Sequence, residues 1–392
     1  MKSLFGYGGT TKAIAKEGNW NIFDDKFDSI SKDEFGNTLY PSDKFDPNLS
    51  TLEITSPGIS PSNPLIKKAK NLISDYDYYN PKFSIWITGT NGKTTTTQMI
   101  EFLIPNSQAG GNIGKPIADM DKDKIWILET SSFTLHYTKT AKPSIFVLLP
   151  ISPDHISWHG SFEQYENAKL KPLDKLSKDD IAIIPDKYSN YPTNGLKICY
   201  KTSEDLADYF NIDIQKINFE EPFLLDAILS VAVQKIVFDK IDYDKINCFI
   251  QDKHKLEEFK DNKGRIWVDD SKATNVDATI QALKKYKNKK IYLILGGDDK
   301  GANMNPLFEE LVKYNLFCLF IGSNETKLFE LSKKFNINGK CVKDLYLAVD
   351  EINKIYNDIN SIALLSPAAA SLDQFSSYKQ RGEKFKNFVK KI

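Results

Sequence analysis

The 392-residue sequence predicts an α/β protein of three domains. Short apolar runs typical of buried strands alternate along the chain with stretches of helical periodicity. Glycine-rich turns follow several of these runs, as they do where a parallel strand leads into a helix. The length also exceeds what a single hydrophobic core usually spans. Together these observations favour three α/β segments with mainly parallel sheets.

The first predicted domain covers residues 1–80. Its apolar run Ser3–Phe5 leads into the glycine turn Gly6–Thr10, and a helical stretch follows over 11–17. The next short strand ends at the acidic pair Asp24–Asp25. This order of elements, a strand, a glycine turn, a helix and a second strand with an acidic end, is typical of a small Rossmann-like nucleotide-binding unit. The spacing G-x-G-x-x-G of that unit is not met.

Two further features lie near the end of this domain. Ser56–Ile59 is predicted to form a tight turn after a strand over 49–54. Ligands in open α/β sheets bind at such strand ends. The polar and aromatic stretch Tyr76–Lys82 contains a proline and predicts a linker to the next domain.

The central domain is predicted over residues 81–250. Its strands are continuous apolar runs, which are typical of a parallel sheet covered on both faces. The strands are expected at Phe83–Ile87, Ile125–Leu128, Ile145–Leu149 and Ile181–Ile184, with a closing helix at Phe223–Phe238.

The third domain is predicted over residues 251–392. Four strands alternate with four helices, which predicts a doubly wound, Rossmann-like parallel sheet. The strands are expected at 265–268, 291–295, 317–321 and 362–365, and the helices at 277–286, 306–314, 327–335 and 345–356.

Composition narrows the class of protein. Lys plus Arg and Asp plus Glu both number 52, so no net charge attracts nucleic acid or an anionic membrane. The four cysteines form no C-x-x-C pair, and we find neither a secretion signal nor an apolar run that could span a bilayer. We therefore expect a cytoplasmic protein with free thiols. Arg265 and Arg381 are the only arginines among many lysines. Each either lies where the planar guanidinium group is required or is an arginine by chance.

The strongest local signal is a glycine loop between a predicted strand and a predicted helix. The loop is formed by Gly89, Thr90, Asn91, Gly92, Lys93, Thr94 and Thr95. Backbone N–H groups of such a loop, together with the helix N-terminus, hold phosphate oxygens. Lys93 would then reach the β- and γ-phosphates, and the Thr94 hydroxyl would bind Mg²⁺. Ile87 replaces the first glycine of the general pattern, so this is a shortened P-loop of an ATPase-type domain.

Polar residues also follow the neighbouring strands. Glu129 ends the strand over 125–128, where a carboxylate suits a magnesium ion, although a solvated strand-end acid is the alternative. His155 follows the next strand, and His159 comes four positions later. The chain has four histidines, so this spacing favours metal or substrate contact for His155 and leaves the role of His159 open.

Three polar loops of the third domain each follow a strand. They are Asp270–Asn275, Gly296–Gly301 and Ser366–Phe375, and parallel strands place them at one edge of the sheet. Their hydroxyls, amides and lysine can recognise a small zwitterion. Alternatively, they can contact an adenine nucleotide on the side that faces away from the P-loop. Any one of them could instead be a simple turn.

The combined motifs resemble the Mur ligase family, which shares them with folylpolyglutamate synthases. The shared set is Gly89–Thr94, Glu129, Asp154–His155 and Ala168–Lys169. The three loops of the third domain, with Gln380–Gly382, are similar to the D-glutamate-adding members in particular. The similarity spans essentially the whole chain.

The resemblance implies a reaction and its requirements. ATP phosphorylates the carboxylate of UDP-N-acetylmuramoyl-L-alanine, and the amine of D-glutamate attacks the acyl phosphate to give an amide, ADP and phosphate. It implies ATP, two Mg²⁺ ions and a carbamylated Lys169. A monomer that acts on small molecules in the cytoplasm, without nucleic-acid or membrane partners, is expected.

The resemblance also implies site residues. Lys93, Glu129, His155 and Lys169 are the expected catalytic residues. The metal would be held by Thr94, Glu129, His155 and Lys169 as its carbamate. ATP would be bound by Gly89 to Thr95 with Lys255 and Asp270. The UDP substrate would be bound by Gly9, Thr10, Asp24, Asp25, Asn112 and Ser131. D-Glutamate would be bound by Thr274, Lys300, Ser371, Leu372 and Tyr378.

Three positions depart from the family pattern. Lys255 follows His254 where an arginine is usual, and Tyr378 replaces a commoner phenylalanine. Glu221–Asp226 stands where an adenine-contacting segment is expected. The alternatives are another Mur ligase, a folylpolyglutamate synthase, or a slow P-loop nucleotide switch that would not need the polar edge of the third domain.

Overall fold

Three six-stranded sheets organise the chain. The computed structural model describes residues 1–358 and 360–392. These residues form two compact units, Met1–Phe249 with two sheets and Ile250–Ile392 with one. The predicted α/β class with largely parallel sheets is confirmed, whereas the three predicted domain bounds stay predictions.

The first sheet has six short strands, and all of its pairs are parallel except the one at its edge. Its strands are β1 (Lys2–Phe5), β2 (Asn21–Asp24), β3 (Ser31–Lys32), β4 (Thr38–Pro41), β5 (Leu52–Thr55) and β6 (Leu72–Ile73), and its helices are α1 (Gly9–Ala15), α2 (Pro64–Lys68) and α3 (Asp75–Tyr79). The strand order is β3-β4-β2-β1-β5-β6, so β1 and its glycine turn lie near the centre.

Helix α3 corrects the linker prediction for Tyr76–Lys82, which is wrong over its first four residues. The Tyr76 side chain is 1% exposed and packs edge-on against Trp86 of the second sheet. The Asp77 carboxylate accepts hydrogen bonds from the backbone N–H groups of Thr140 and Ala141, at 2.7 and 2.8 Å. Polarity suggested a linker, but these polar groups hold α3 against the second sheet.

The second sheet is entirely parallel. Its strands are β7 (Ser84–Thr88), β8 (Ser107–Gly111), β9 (Ile125–Glu129), β10 (Ile145–Leu148), β11 (Ile181–Pro185) and β12 (Leu196–Tyr200). Its helices are α4 (Lys93–Leu103), α5 (Ser132–Tyr137), α6 (Ile156–His159), α7 (Phe162–Leu170), α8 (Ser203–Phe210), α9 (Phe223–Phe238) and α10 (Tyr243–Asn247). All side chains of β7 are buried, as its continuous apolar character predicts.

The order of this sheet, β12-β11-β10-β7-β9-β8, explains where a site can form. The chain leaves β7 towards β8 and β9 on one side and then crosses to β10 on the other. A crevice outside the carboxyl ends of the strands opens at such a change of direction. The predicted P-loop lies there, because it follows β7.

The third sheet is parallel except for the edge strand β13. Its strands are β13 (Glu257–Lys260), β14 (Ile266–Asp269), β15 (Lys290–Gly296), β16 (Leu316–Ile321), β17 (Gly339–Lys343) and β18 (Ser361–Leu365), in the order β13-β14-β18-β15-β16-β17. Its helices are α11 (Val276–Lys285), α12 (Asn305–Leu311), α13 (Glu325–Lys334), α14 (Leu345–Ile355) and α15 (Tyr378–Val389). Within residues 1–358 and 360–392, no helix has the length and apolar character needed to cross a membrane.

Candidate active site

Strand register brings the predicted catalytic loops together. Ile87 of β7 pairs with Glu129 of β9 and with Val147 of β10. The loops that follow these three parallel strands therefore emerge at the same sheet edge. They carry the P-loop, the acidic strand end and the predicted histidine.

Two glycines give the P-loop its shape. Gly89 has a φ of +145°, and a Cβ placed on it would lie 2.5 Å from the Cβ of Leu149. Gly92 has a φ of +81°, and its Cβ would lie 2.5 Å from Oδ1 of Asp226. No larger residue fits at either position without a shift of its neighbours. The loop is thus pressed against β10 and α9, and its N–H groups lead into the N-terminus of α4.

Lys93 folds back over this loop. Its Nζ donates to the carbonyl oxygens of Gly89 at 3.0 Å and Thr90 at 2.7 Å. Burial lowers the pKa of the Lys93 ammonium, while the carboxylates of Glu129 and Asp154 act in the opposite direction. The first side chain of α4 therefore places an amine over the predicted phosphate-binding loop.

Glu129 links the P-loop helix to β8. It is 2% exposed, and its Oε2 accepts a hydrogen bond of 2.7 Å from the Thr94 hydroxyl. Its Oε1 accepts one of 2.6 Å from Nδ2 of Asn112, and its backbone carbonyl accepts from the Asn112 N–H at 2.9 Å. Hydroxyl, carboxylate and amide oxygens form the hard donor set that Mg²⁺ prefers.

Lys169 reaches the same strand ends from α7. Its side chain is 2% exposed, and Nζ donates to the Thr88 hydroxyl at 3.2 Å. The amine also lies 4.9 Å from the centre of the Tyr165 ring. Burial, with Lys93 as a second cause, holds the pKa of Lys169 well below its usual range. This lysine is therefore a buried amine beside the phosphate loop.

His155 and His159 lie at opposite ends of α6 and differ in surroundings. His155 precedes the helix with a φ of +52°, and its backbone N–H donates to Asp154 Oδ1 at 2.8 Å. His159 is 5% exposed, and its Nε2 lies 2.9 Å from Oγ of Ser132. Burial and the neighbouring histidines lower the pKa of His159 to about 4. His159 is thus a packed ring whose neutral form is favoured, and its contact with metal or substrate stays a prediction.

A pocket of about 240 Å³ opens at the carboxyl ends of β1, β2 and β5. Its lining residues are Gly6, Tyr7, Gly8, Phe23, Asp24, Asp25, Lys26, Ser56, Gly58, Ile59, Asn63 and Leu65. The predicted residues Asp24 and Asp25 are among them. Gly9 and Thr10 instead lie in the first turn of α1, because the helix begins at Gly9. Ser131, predicted for the same substrate, caps α5 with its hydroxyl oxygen accepting from the N–H of Thr134.

In the second unit, Asp270 and Arg381 join two of the predicted loops. The Asp270 carboxyl accepts a 2.7 Å hydrogen bond from the Ser366 hydroxyl, and burial raises the pKa of Asp270 to about 8. Arg381 is 1% exposed. Its Nε donates to the Ser271 hydroxyl at 2.9 Å, and its Nη2 donates to the carbonyls of Ser271 at 2.8 Å and Ala369 at 3.1 Å. Arg381 therefore uses its planar guanidinium group to make several hydrogen bonds. The sequence alone could not show whether an arginine was required at this position.

The third polar loop joins the same edge. Asp298 and Ala370 exchange backbone hydrogen bonds of 3.0 and 2.8 Å, which ties the Gly296–Gly301 loop to the Ser366–Phe375 loop. Lys300 is exposed at the tip of its loop, while Ser371 is buried.

The remaining predicted residues of this unit lie around these loops. Leu372 is 67% exposed, Thr274 is half-buried, and Tyr378 begins α15. Lys255 lies with its Nζ 3.4 Å from Asp252 Oδ2. Lys272, within the predicted loop Asp270–Asn275, was not singled out from the sequence, and its Nζ lies 4.4 Å from the centre of the Tyr378 ring.

Gly382 explains the end of the Gln380–Gly382 motif. A Cβ at this position would lie 2.2 Å from Nδ1 of His254, which itself lies 2.6 Å from Oδ2 of Asp269. Only a glycine leaves space for this buried His–Asp pair. The motif thus has two roles. Arg381 makes hydrogen bonds to two loops, and Gly382 lets α15 lie close to His254.

Comparisons with known proteins agree with this arrangement. Residues 87–216 match the family described as Mur ligase middle domain. The chain is 51% identical to a UDP-N-acetylmuramoylalanine–D-glutamate ligase of Campylobacter jejuni, over 100% of this chain and 99% of that protein. It is 48% identical to the Helicobacter pylori ligase of the same name, over 99% of each chain.

A solved structure supports the fold independently. The MurF ligase of Thermotoga maritima in complex with ADP matches with a TM-score of 0.58 and 15% identity, covering 99% of this chain and 97% of that chain. The full-length identity to the curated relatives excludes a folylpolyglutamate synthase or an isolated nucleotide switch as the family. The chain belongs to the UDP-N-acetylmuramoylalanine–D-glutamate ligase family of Mur ligases.

Proposed function

We propose that this chain forms an amide bond between UDP-N-acetylmuramoyl-L-alanine and D-glutamate, with ATP converted to ADP and phosphate. The observation that carries this proposal is the P-loop with Lys93, Thr94 and Glu129 at one sheet edge, in a chain about half identical to ligases of that name. The reaction consumes ATP and a UDP-linked sugar, so we place it in the cytoplasm. We also propose that the protein acts as a monomer.

The first step is phosphoryl transfer from ATP to the substrate carboxylate. The carboxylate oxygen attacks the γ-phosphorus, the bond to the bridging oxygen breaks, and ADP leaves. Positioning and neutralisation of charge dominate catalysis of such transfers. The N–H groups of the P-loop and the Lys93 ammonium would hold the phosphate oxygens. The partial burial of Lys93 strengthens these interactions because it reduces contact with water.

The residues around Glu129 fit a magnesium ion. Thr94 and Glu129 offer a hydroxyl and a carboxylate oxygen that lie 2.7 Å apart, and Nδ2 of Asn112 holds the other carboxylate oxygen of Glu129. When bound, Mg²⁺ supplies charge neutralisation at the transferring phosphoryl group. Tyr165, whose hydroxyl lies 3.0 Å from Oγ1 of Thr90, helps to fix the loop on which this donor set depends.

The second step is attack of the D-glutamate amine on the acyl phosphate. The amine nitrogen adds to the carbonyl carbon, a proton leaves the nitrogen, and phosphate departs as the amide forms. We propose that D-glutamate binds at the joined loops of the second unit. Lys300 and Lys272 would contact its carboxylates, and the Ser371 and Thr274 hydroxyls would orient them.

One experiment tests the proposed function. Phosphate release is measured with ATP, Mg²⁺ and UDP-N-acetylmuramoyl-L-alanine, with and without D-glutamate, L-glutamate or other amino acids. We expect rapid release only with D-glutamate, accompanied by an equal amount of the ligated product. Release that is independent of the amino acid would refute the ligase proposal.

Replacing Lys300 by alanine is expected to raise the KM for D-glutamate roughly tenfold or more, as loss of a charge-assisted hydrogen bond does. The KM values for ATP and for the muramoyl nucleotide should change little. Steady-state kinetics with each substrate varied in turn measures this. Lys313→Ala, which removes an exposed lysine paired with Glu310 in the same unit, is the matched control. Equal changes in all three KM values for Lys300→Ala would exclude this residue from the D-glutamate site.

A further inference from the structure

Two aromatic residues on helices α5 and α6, beside the second sheet, hold one wall of the pocket at the first sheet. The Tyr137 hydroxyl donates a 2.6 Å hydrogen bond to the carbonyl oxygen of Ile59. The indole N–H of Trp158 donates to the adjacent carbonyl oxygen, that of Gly58, at 3.3 Å. Gly58 and Ile59 both line the pocket of about 240 Å³. Two consecutive carbonyls of the pocket wall are therefore fixed from outside the sheet that forms the pocket.

The fixed segment contacts the glycine turn across the pocket. Ile59 follows a turn closed by the hydrogen bond from its N–H to the Ser56 carbonyl, at 3.1 Å. The Ile59 side chain approaches Gly6 so closely that a Cβ there would lie 3.0 Å from its Cδ1. A shift of Ile59 would therefore change the width of the pocket.

The two donors belong to an aromatic cluster that reaches the catalytic edge. Phe133, Tyr137, Trp158 and His159 form this cluster, and the Trp158 ring lies 4.6 Å from Phe133 and 4.5 Å from His159. Helix α6 carries Trp158 within it and His155 at its N-terminal cap. The same four-residue helix thus contacts the pocket wall and presents the predicted catalytic histidine.

We infer that Tyr137 and Trp158 are positioning residues that set the muramoyl-nucleotide pocket relative to the phosphoryl-transfer site. This inference rests on the proposed function, because it takes the pocket as the place where the UDP part of the substrate binds. Both donors act on backbone carbonyls, so they orient the wall and need not contact the substrate. Their loss should weaken binding of this one substrate.

The test uses Tyr137→Phe and Trp158→Phe, each of which keeps an aromatic ring and removes one hydrogen-bond donor. Each change is expected to raise the KM for UDP-N-acetylmuramoyl-L-alanine about threefold to tenfold, the range for loss of one such bond. The KM for ATP and the melting temperature should stay close to those of the wild type. The Kd of the muramoyl nucleotide, measured by calorimetry, should rise by the same factor as its KM.

Tyr292→Phe is the matched control, because the Tyr292 hydroxyl also donates to a backbone carbonyl, that of Ile355, at 2.8 Å. Its KM for the muramoyl nucleotide should equal that of the wild type. Unchanged KM values for both test variants, or parallel changes for all substrates, would overturn the inference. A wild-type protein that releases no phosphate in response to D-glutamate would instead refute the proposed function, so the two failures are distinguishable.

Discussion

Replacing Lys93 by alanine is expected to lower kcat at least ~100-fold, since one positioned charge at a transferring phosphoryl group stabilises the transition state by several kcal/mol. The lysine ammonium lies within 3.0 Å of two P-loop carbonyl oxygens, so it is already held where the phosphates would bind. Removing it leaves the backbone cradle intact but takes away the positive charge. The measurement is single-turnover formation of ADP in the presence of the muramoyl nucleotide.

The control for Lys93→Ala is Lys122→Ala, which removes an exposed lysine from the same unit. It should have wild-type kcat and melting temperature. Circular dichroism of Lys93→Ala should match the wild type, because Lys93 is half-buried and lies outside the apolar core of this unit. Near-normal turnover by Lys93→Ala would refute the assignment of the P-loop.

Strands with continuous apolar side chains were predictable from sequence, and those with weak patterns were not. The predicted helix over Phe223–Phe238 agrees with α9 at both ends, since its run of apolar residues is long and buried. Strand β8, with the sequence SQAGG, carries almost no apolar signal. It forms because all five of its residues pair with the parallel strand β9. Tertiary pairing outweighed local propensity there.

The candidate site was predictable where one loop carries its own chemistry. The spacing of Gly89, Gly92 and Lys93 before a helix predicts a phosphate-binding loop, and in the structure these residues form a tight turn that leads into α4. The support around the cradle was not predictable. Tyr76 donates to the Glu129 carbonyl at 3.3 Å from a segment that sequence suggested was a linker. Tyr165 contacts the loop across a separation of 75 residues.

The burial of ionisable side chains, and the pKa shifts that follow from it, could not be predicted from the sequence either. Nothing local distinguishes Lys169 from the many exposed lysines, since its burial depends on the packing of α7 against the end of β7. Similarly, burial raises the pKa of Asp270, although the hydrogen bonds from the Ser366 hydroxyl and the Leu256 N–H act in the opposite direction. Such environments arise only after the strands are assembled, so sequence could supply the residue type but not its ionisation.

Lys169 provides the second prediction with a large expected effect. Its amine is buried beside the phosphate loop, and this environment favours the neutral form over the ammonium. We propose that the neutral nitrogen adds CO₂, forming an N–C bond and releasing one proton, to give a carbamate. The group would then change from a neutral amine to an anionic oxygen donor that suits Mg²⁺. Acid would reverse this reaction by protonating the amine.

The Lys169→Ala variant is expected to lose about 100-fold or more in kcat, because a positioned charged group at the reacting phosphoryl is removed. A short carboxylic acid such as acetate should partly restore activity by occupying the vacated space. In the wild type, ¹³C-labelled bicarbonate should give a carbamate signal in the NMR spectrum, and this signal should be missing from the variant. That readout does not depend on catalysis.

Lys175→Ala is the matched control for Lys169→Ala. Burial also lowers the pKa of Lys175, to about 8, but its Nζ donates to the Thr138 carbonyl at 2.9 Å, away from the P-loop. This variant should keep the carbamate signal and most of its activity, because a depressed pKa alone does not place an amine beside the phosphates. Full activity of Lys169→Ala without added acid would exclude a catalytic carbamate. A carbamate signal that persists in Lys169→Ala would assign the modification to another amine.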